Sequence, residues 1–106
     1  MIIATSESIA GKRISAVLGM VRGNTIRARH IGKDVVAAFK NLAGGEITDY
    51  TKMLAESREQ ALDRMIEDAE SLGANAIVAV RFTTSSVMQG AAEILVYGTA
   101  VRCDDE

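Results

Sequence analysis

Residues 72–82, LGANAIVAVRF, mark the point at which a charged helical stretch gives way to a β-strand. Gly73 follows the last apolar position of the helical periodicity, where a glycine in a left-handed conformation commonly ends a helix. Alternation along the strand gives two sets, Ala76, Val78, Val80 and Phe82 on one side and Ile77, Ala79 and Arg81 on the other. A sheet with one face in water alternates apolar with polar residues. Since neither set is mainly polar, the sequence predicts that both faces of this strand are covered.

Five further segments surround this strand. The sequence predicts short and long strands over residues 1–5 and 12–29, a helix over 32–45 ending at Gly44-Gly45, a long helix from an N-cap at Thr48 to Gly73, and a last strand over 91–103. In the long strand, Gly19 and Gly23 predict a bend or bulge.

The predicted order is strand, strand, helix, helix, strand, strand, which is typical of an α+β domain. Strands joined through helices predict a crossover, right-handed if the two strands are parallel in one sheet. A polar stretch at residues 83–90, TTSSVMQG, predicts a hairpin between the last two strands. We expect the helices to pack on one face of a small mixed sheet.

Composition narrows the class of protein. The 106 residues are expected to form one domain, 1–106, with a net charge of -2 that argues against a general nucleic-acid or membrane-surface binder. A single cysteine excludes an internal disulfide and fits a reducing compartment. The N-terminal stretch MIIATSESIAGK lacks a basic segment followed by an apolar run, so we expect no signal peptide and a cytoplasmic protein.

The charge distribution and the apolar strands together predict self-association. The last strand is again apolar on both sides, yet only two helices are predicted to cover the sheet. Residues 1–53 carry eight basic groups and four acids, a balance of +4, whereas residues 54–106 carry four basic groups and ten acids, a balance of -6. Two such halves fit a repeated head-to-tail contact, which closes into a ring for a suitable rotation. The alternative is that these charges are simply solvated.

The segments GKRI, LGMVRG, GKD, AGG, SREQALDRM, LGANAIVAVRF and YGTAVR, in that order, resemble the YbjQ-type family. The resemblance covers nearly the whole chain, and its specific feature is a long helix closing in A-x-x-L-G-A-N-A with a later G-T-A-V. It implies a dodecin-like α+β subunit assembled as a homopentamer. The family carries a heavy-metal-binding label and has no established catalytic activity. We expect no cofactor.

Metal ligation finds little support in the residue types. Soft metals prefer thiolate and imidazole ligands, and the chain has one cysteine, Cys103, and one histidine, His30. We therefore predict no metal site within one chain, although a ring could gather one thiol from each copy. Five carboxylates on the long helix form an acidic ridge that a hard cation could bind or that is simply a solvated face: Glu56, Glu59, Asp63, Glu67 and Glu70.

Four residues are candidates for ligand binding, and each also has a structural explanation. Lys33 and Asp34 lie at the predicted start of the first helix, and Tyr50 could be a helix-to-sheet packing residue. Asn75 fits a turn, because asparagine side chains bond to nearby backbone. No Ser-His-Asp arrangement or glycine-rich phosphate loop is evident, so we assign no catalytic residue.

We therefore predict a non-enzymatic cytoplasmic protein that self-associates and binds a small ligand or metal ion at its subunit interfaces, and the family resemblance implies that the assembly is a homopentamer. The alternative is an enzyme whose intersubunit active site uses Lys33, Asp34 and Tyr50.

Overall fold

The structure, a computed structural model, describes residues 1–28 and 45–106. In this part of the chain it has four strands and one helix: β1 (Ile2–Ile3), β2 (Lys12–Ala28), α1 (Gly45–Ser71), β3 (Ala76–Met88) and β4 (Ala91–Asp105). The helix predicted over residues 32–45 lies outside the described residues except for its last residue.

The four strands form one mixed sheet in the order β1-β3-β4-β2. β4 pairs antiparallel with both β3 and β2, and β1 pairs parallel with β3. β2 and β3 therefore run parallel with β4 between them, so the predicted crossover through helical structure is confirmed. The predicted hairpin is also confirmed, but its arms are longer than expected. Most of the stretch 83–90 belongs to β3, and the turn is confined to Gln89 and Gly90.

The helix α1 ends just before Gly73, which adopts a left-handed conformation, as the sequence predicts. Gly73 has a φ of 81° and donates its N–H to the Glu70 carbonyl at 3.0 Å, while the Ala74 N–H reaches the Ala69 carbonyl at 3.1 Å. This pair of bonds is the Schellman motif, which satisfies carbonyls that the helix end leaves free. The N-terminal prediction is wrong. The helix begins at Gly45, so Thr48 lies inside it and is not its N-cap.

The two glycines of β2 have different physical roles. Gly19 has a φ of 134° and lies at a shift in the β2–β4 register, as the predicted bulge requires. Gly23 lies in continuous register, so it makes no bulge. Instead α1 passes directly above it: a Cβ at Gly23 would lie 2.0 Å from the Ala61 carbonyl oxygen and 2.6 Å from the Met65 nitrogen. Glycine is required here because the helix backbone touches the strand backbone.

The main core lies between α1 and one face of the sheet. The helix contributes Ala61, Met65 and Ala69, all fully buried. The facing strands contribute the remaining large members of this core: Val21, Ile77, Val80, Ile94 and Val96. Even-numbered residues of β4 thus point toward the helix, and its odd-numbered residues point away from it.

A bulge in β3 changes which residues share a face. Val78 pairs with Thr99 but Arg81 pairs with Tyr97, so one extra residue stands opposite β4 between them. Ala79, with a φ of 55°, lies within this bulge. Strict alternation therefore fails: Val80 joins Ile77 on the helix side, although the sequence placed them on opposite faces.

A second, smaller cluster lies on the other face of the sheet. It contains Ala76, Val78, Val101 and Cys103, packed against the partly buried Ile9 and Ile14. Ile9 belongs to the segment that links β1 to β2, which folds over this end of the sheet. One end of the second face is therefore covered by the chain itself.

Candidate functional site

The remainder of the second face is the candidate site, and we call it the open face. Directly paired residues on neighbouring strands share a face, so the register defines its members. They are Val17, Met20, Arg22, Asn24 and Ile26 on β2, Glu93, Leu95, Tyr97 and Thr99 on β4, and Arg81, Thr83 and Ser85 on β3.

Large apolar side chains are exposed along the β2 side of the open face. Val17 is 69% exposed, Met20 68% and Ile26 61%. The β4 residues beside them, Leu95 and Tyr97, are half-buried. Single exposed apolar residues are ordinary, but a group of them on one sheet face is typical of a contact surface.

A row of three residues crosses the middle of the open face. Arg22 on β2 and Arg81 on β3 both pair with Tyr97 on β4, which places the two arginines on either side of the tyrosine. Arg81 Nη1 donates to the carbonyls of Thr5 at 2.8 Å and Val80 at 2.9 Å. Within residues 1–28 and 45–106, neither guanidinium forms a salt bridge. The row can therefore accept anionic groups.

The nearest carboxylate on this face already accepts a hydrogen bond within the chain. Glu93, two rows from Tyr97 along β4, accepts a hydrogen bond from Asn24 Nδ2 at 3.3 Å. Sequence inspection did not select Arg22 or Arg81, because their alignment depends on the bulge at Ala79 and on pairing across three strands.

Asn75, a predicted ligand-binding candidate, is bonded to the far end of β4. Its Nδ2 donates to the Cys103 carbonyl and its Oδ1 accepts from the Cys103 N–H, both at 2.8 Å. The side-chain amide thus pairs with the end of β4 as another strand residue would. The turn that contains Asn75 is local, as the sequence predicts, but its side-chain partner is 28 residues away.

The other three candidates are described only in part. Lys33 and Asp34 lie outside the described residues, as does His30. Tyr50 lies in the second turn of α1, and Asn75 follows the other end of that helix. At 1.5 Å per residue, the helix from Tyr50 to Ser71 is about 30 Å long. Tyr50 and Asn75 of one chain therefore do not form a common site.

The candidate metal donors of the described residues do not converge. In residues 1–28 and 45–106, no three His, Cys, Asp or Glu side chains lie together. Cys103 is a free, buried thiol in the second cluster. The five acidic residues of the ridge are all exposed on α1. A shallow depression of about 460 Å³ lies beside them, with Glu56, Glu59 and Arg58 in its lining. These residues do not supply a metal centre within one chain.

The described residues, 1–28 and 45–106, define a two-layer α+β arrangement in which one helix packs on a mixed four-stranded sheet. No described helix is both long and apolar enough to cross a membrane. A family model with the description "Putative heavy-metal-binding" matches residues 1–104. The chain belongs to this family, the YbjQ family, as its sequence motifs indicate.

Relatives in bacteria and archaea support the assignment. A UPF0145 protein of Clostridioides difficile is 60% identical over 106 residues, covering 100% of this chain and 95% of that protein. A UPF0145 protein of Methanosarcina acetivorans is 61% identical over 102 residues, covering 96% of each. The similar fold of a Pediococcus pentosaceus protein of unknown function from the DUF74 family has a TM-score of 0.67 at 18% identity, with 98% of each chain covered.

Proposed function

We propose that this protein is a non-enzymatic cytoplasmic protein that assembles as a homopentamer and binds a small ligand where its subunits meet. The observation that carries the proposal is the open face, where Val17, Met20 and Ile26 are each more than 60% exposed on a regular sheet. Another copy of the chain would remove these side chains from water. The number five comes from the family resemblance alone.

The shape of the described residues also supports assembly. They extend 57 × 21 × 16 Å and have a radius of gyration of 17.6 Å. A compact domain of this length has a radius of gyration of about 13 Å. An elongated two-layer subunit buries less of its own surface, so contacts with other copies would supply part of its stability.

The ligand is expected at the contact between copies. Within one chain, the described residues bring no metal donors together, and Tyr50 is far from Asn75. A metal ion at this place would need donors from more than one copy. A small organic or anionic ligand could use the polar groups of the open face, such as Arg22 and Tyr97, at its edge.

The oligomeric state tests the proposal directly. Size exclusion with light scattering at micromolar concentration should give five times 11.3 kDa, about 56 kDa. Apparent thermal stability should rise with protein concentration, because assembly stabilises only the folded chain. A monodisperse species of 11.3 kDa whose unfolding is independent of concentration would refute the proposal.

A pair of variants locates the contact. Met20→Lys should shift the particle toward smaller species, since a charge would be buried on the open face. Phe82→Lys is the matched control, because Phe82 is 46% exposed and pairs with Val96, which places it on the helix side of the sheet and not on the open face. Equal effects of the two variants would contradict the assignment of the open face.

A further inference from the structure

The two opposite surfaces of the subunit carry charges of opposite sign that form no salt bridges among the described residues. On the open face, Arg22 and Arg81 flank Tyr97, and neither arginine forms a salt bridge within the described residues. The backbone of Arg22 is fixed to α1, because its N–H donates a hydrogen bond to Asp68 Oδ2 at 3.3 Å. Its side chain is exposed, and its pairing with Tyr97 places it on the open face.

The outer surface of α1 carries the complementary charges. The helix buries Ala61, Met65 and Ala69 against the sheet, and the acidic ridge lies on the opposite side of the helix. The ridge residues are all exposed, and the described ion pairs involve none of them: Glu56, Glu59, Asp63, Glu67 and Glu70. Five like charges on one helix repel each other unless cations neutralise them.

The separation of the two arginines matches the separation of two carboxylates on the helix. Arg22 and Arg81 are separated by two interstrand distances, about 10 Å. Asp63 and Glu70 are seven residues apart, which is two helical turns and about 10.5 Å; Glu56 precedes Asp63 by the same interval. A helix laid across the strands would thus place two carboxylates that are seven residues apart at the two arginines.

We propose that Arg22 and Arg81 of one subunit bind the α1 carboxylates of the next, with Asp63 and Glu70 as their partners. The open face is therefore covered by a second copy of the chain, which contacts it through the outer surface of α1. This inference rests on the proposed assembly and names the surface through which it forms.

The geometry of this contact determines the symmetry class. The sheet face of one subunit meets the helix face of the next, so the two contacting surfaces differ. Contacts between unlike surfaces repeat head to tail and give rings when the rotation closes, not twofold dimers. Charge pairing of this kind sets the register and accelerates association, while the apolar residues Met20 and Ile26 contribute burial.

Charge reversal and its rescue test the contact. The variant Arg22→Glu with Arg81→Glu places acids against acids, and association should weaken by about tenfold or more at 0.15 M salt. Adding Asp63→Lys and Glu70→Lys to the same chain restores opposite charges at each contact. This fourfold variant should recover the wild-type particle mass in light scattering. Arg13→Glu is the matched control, because Arg13 is exposed and pairs with the exposed Asp104 at 3.8 Å.

The outcomes separate this inference from the proposed assembly. A wild-type monomer would refute the assembly itself. A wild-type oligomer that the double reversal leaves intact, or that the fourfold variant does not restore, would overturn the arginine–carboxylate contact and leave the open-face assembly standing. Since Arg81 also bonds to Thr5 and Val80, circular dichroism must show that the double variant folds. If it does not fold, the single variant Arg22→Glu takes its place. Light scattering should then show weaker association for Arg22→Glu alone and recovery of the wild-type particle mass when Asp63→Lys and Glu70→Lys are added.

Discussion

Replacing Gly23 with alanine should separate α1 from β2. The new Cβ would lie 2.0 Å from the Ala61 carbonyl oxygen and 2.6 Å from the Met65 nitrogen, and both of these are backbone atoms. No side-chain rotation relieves such a contact. The helix or the strand must move by about 1 Å, and a gap of that size forfeits about a quarter to a half of the dispersion attraction across it.

The size of the effect follows from what the helix buries at this point. Burial of Ala61, Met65 and Ala69 contributes roughly 4 kcal/mol by area, so the gap costs about 1–2 kcal/mol. The hydrogen bond from Thr25 Oγ1 to the Ser57 carbonyl, 3.2 Å long and buried, would be strained in addition, at about 1 kcal/mol. Reduced freedom of the unfolded chain offsets about 0.5–1 kcal/mol. We expect a net loss of about 2 kcal/mol.

Urea unfolding followed by circular dichroism at one fixed protein concentration measures this loss. The matched control is Gly73→Ala, because Gly73 has no atom within 4 Å of its Cβ position but has a φ of 81°. That variant should lose about 1 kcal/mol through backbone strain alone. A loss below about 0.5 kcal/mol for Gly23→Ala, with Gly73→Ala more strongly affected, would show that the close approach of helix and strand is not as described.

Three further predictions use other parts of the fold. Asn75→Ala should lose about 1–3 kcal/mol in unfolding experiments, since the Cys103 N–H and carbonyl lose their partners; an unchanged free energy of unfolding would contradict the two 2.8 Å bonds. Cys103→Ser should leave zinc or copper affinity unchanged, and tight binding by the wild type that this variant loses would reverse our interpretation of the thiol. Lys12 lowers the pKa of Asp105 by hydrogen bonding and charge, so their pair stabilises the fold above the ordinary carboxyl pKa and is lost as pH falls through the lowered one. The melting temperatures of wild type and Asp105→Asn should therefore differ slightly at pH 7 and converge in acid, and a difference that widens in acid would exclude this ion pair.

Local patterns predicted much of the fold correctly. Gly73 ends α1 in a left-handed conformation, Gly19 lies at a bulge, and the last two strands form a hairpin. Each of these features depends on a few neighbouring residues and on the steric freedom of glycine. The candidate site was harder to predict from the sequence. Asn75 bonds to a residue 28 positions away, and Arg22 and Arg81 lie beside Tyr97 only through pairing across three strands.

By itself, the sequence determined the family, the α+β class and the apolar character of both faces of β3 and β4. Tertiary structure decided which residues occupy which face, because the extra residue at Ala79 shifts the alternation and brings Val80 to the helix side. It also decided that Gly23 allows the helix to approach the strand closely and does not make a bend, and that Ile9 packs against the cluster containing Val101 at one end of the second face. These outcomes depend on contacts between segments far apart in the chain, and a local periodicity carries no information about the register in which such segments meet.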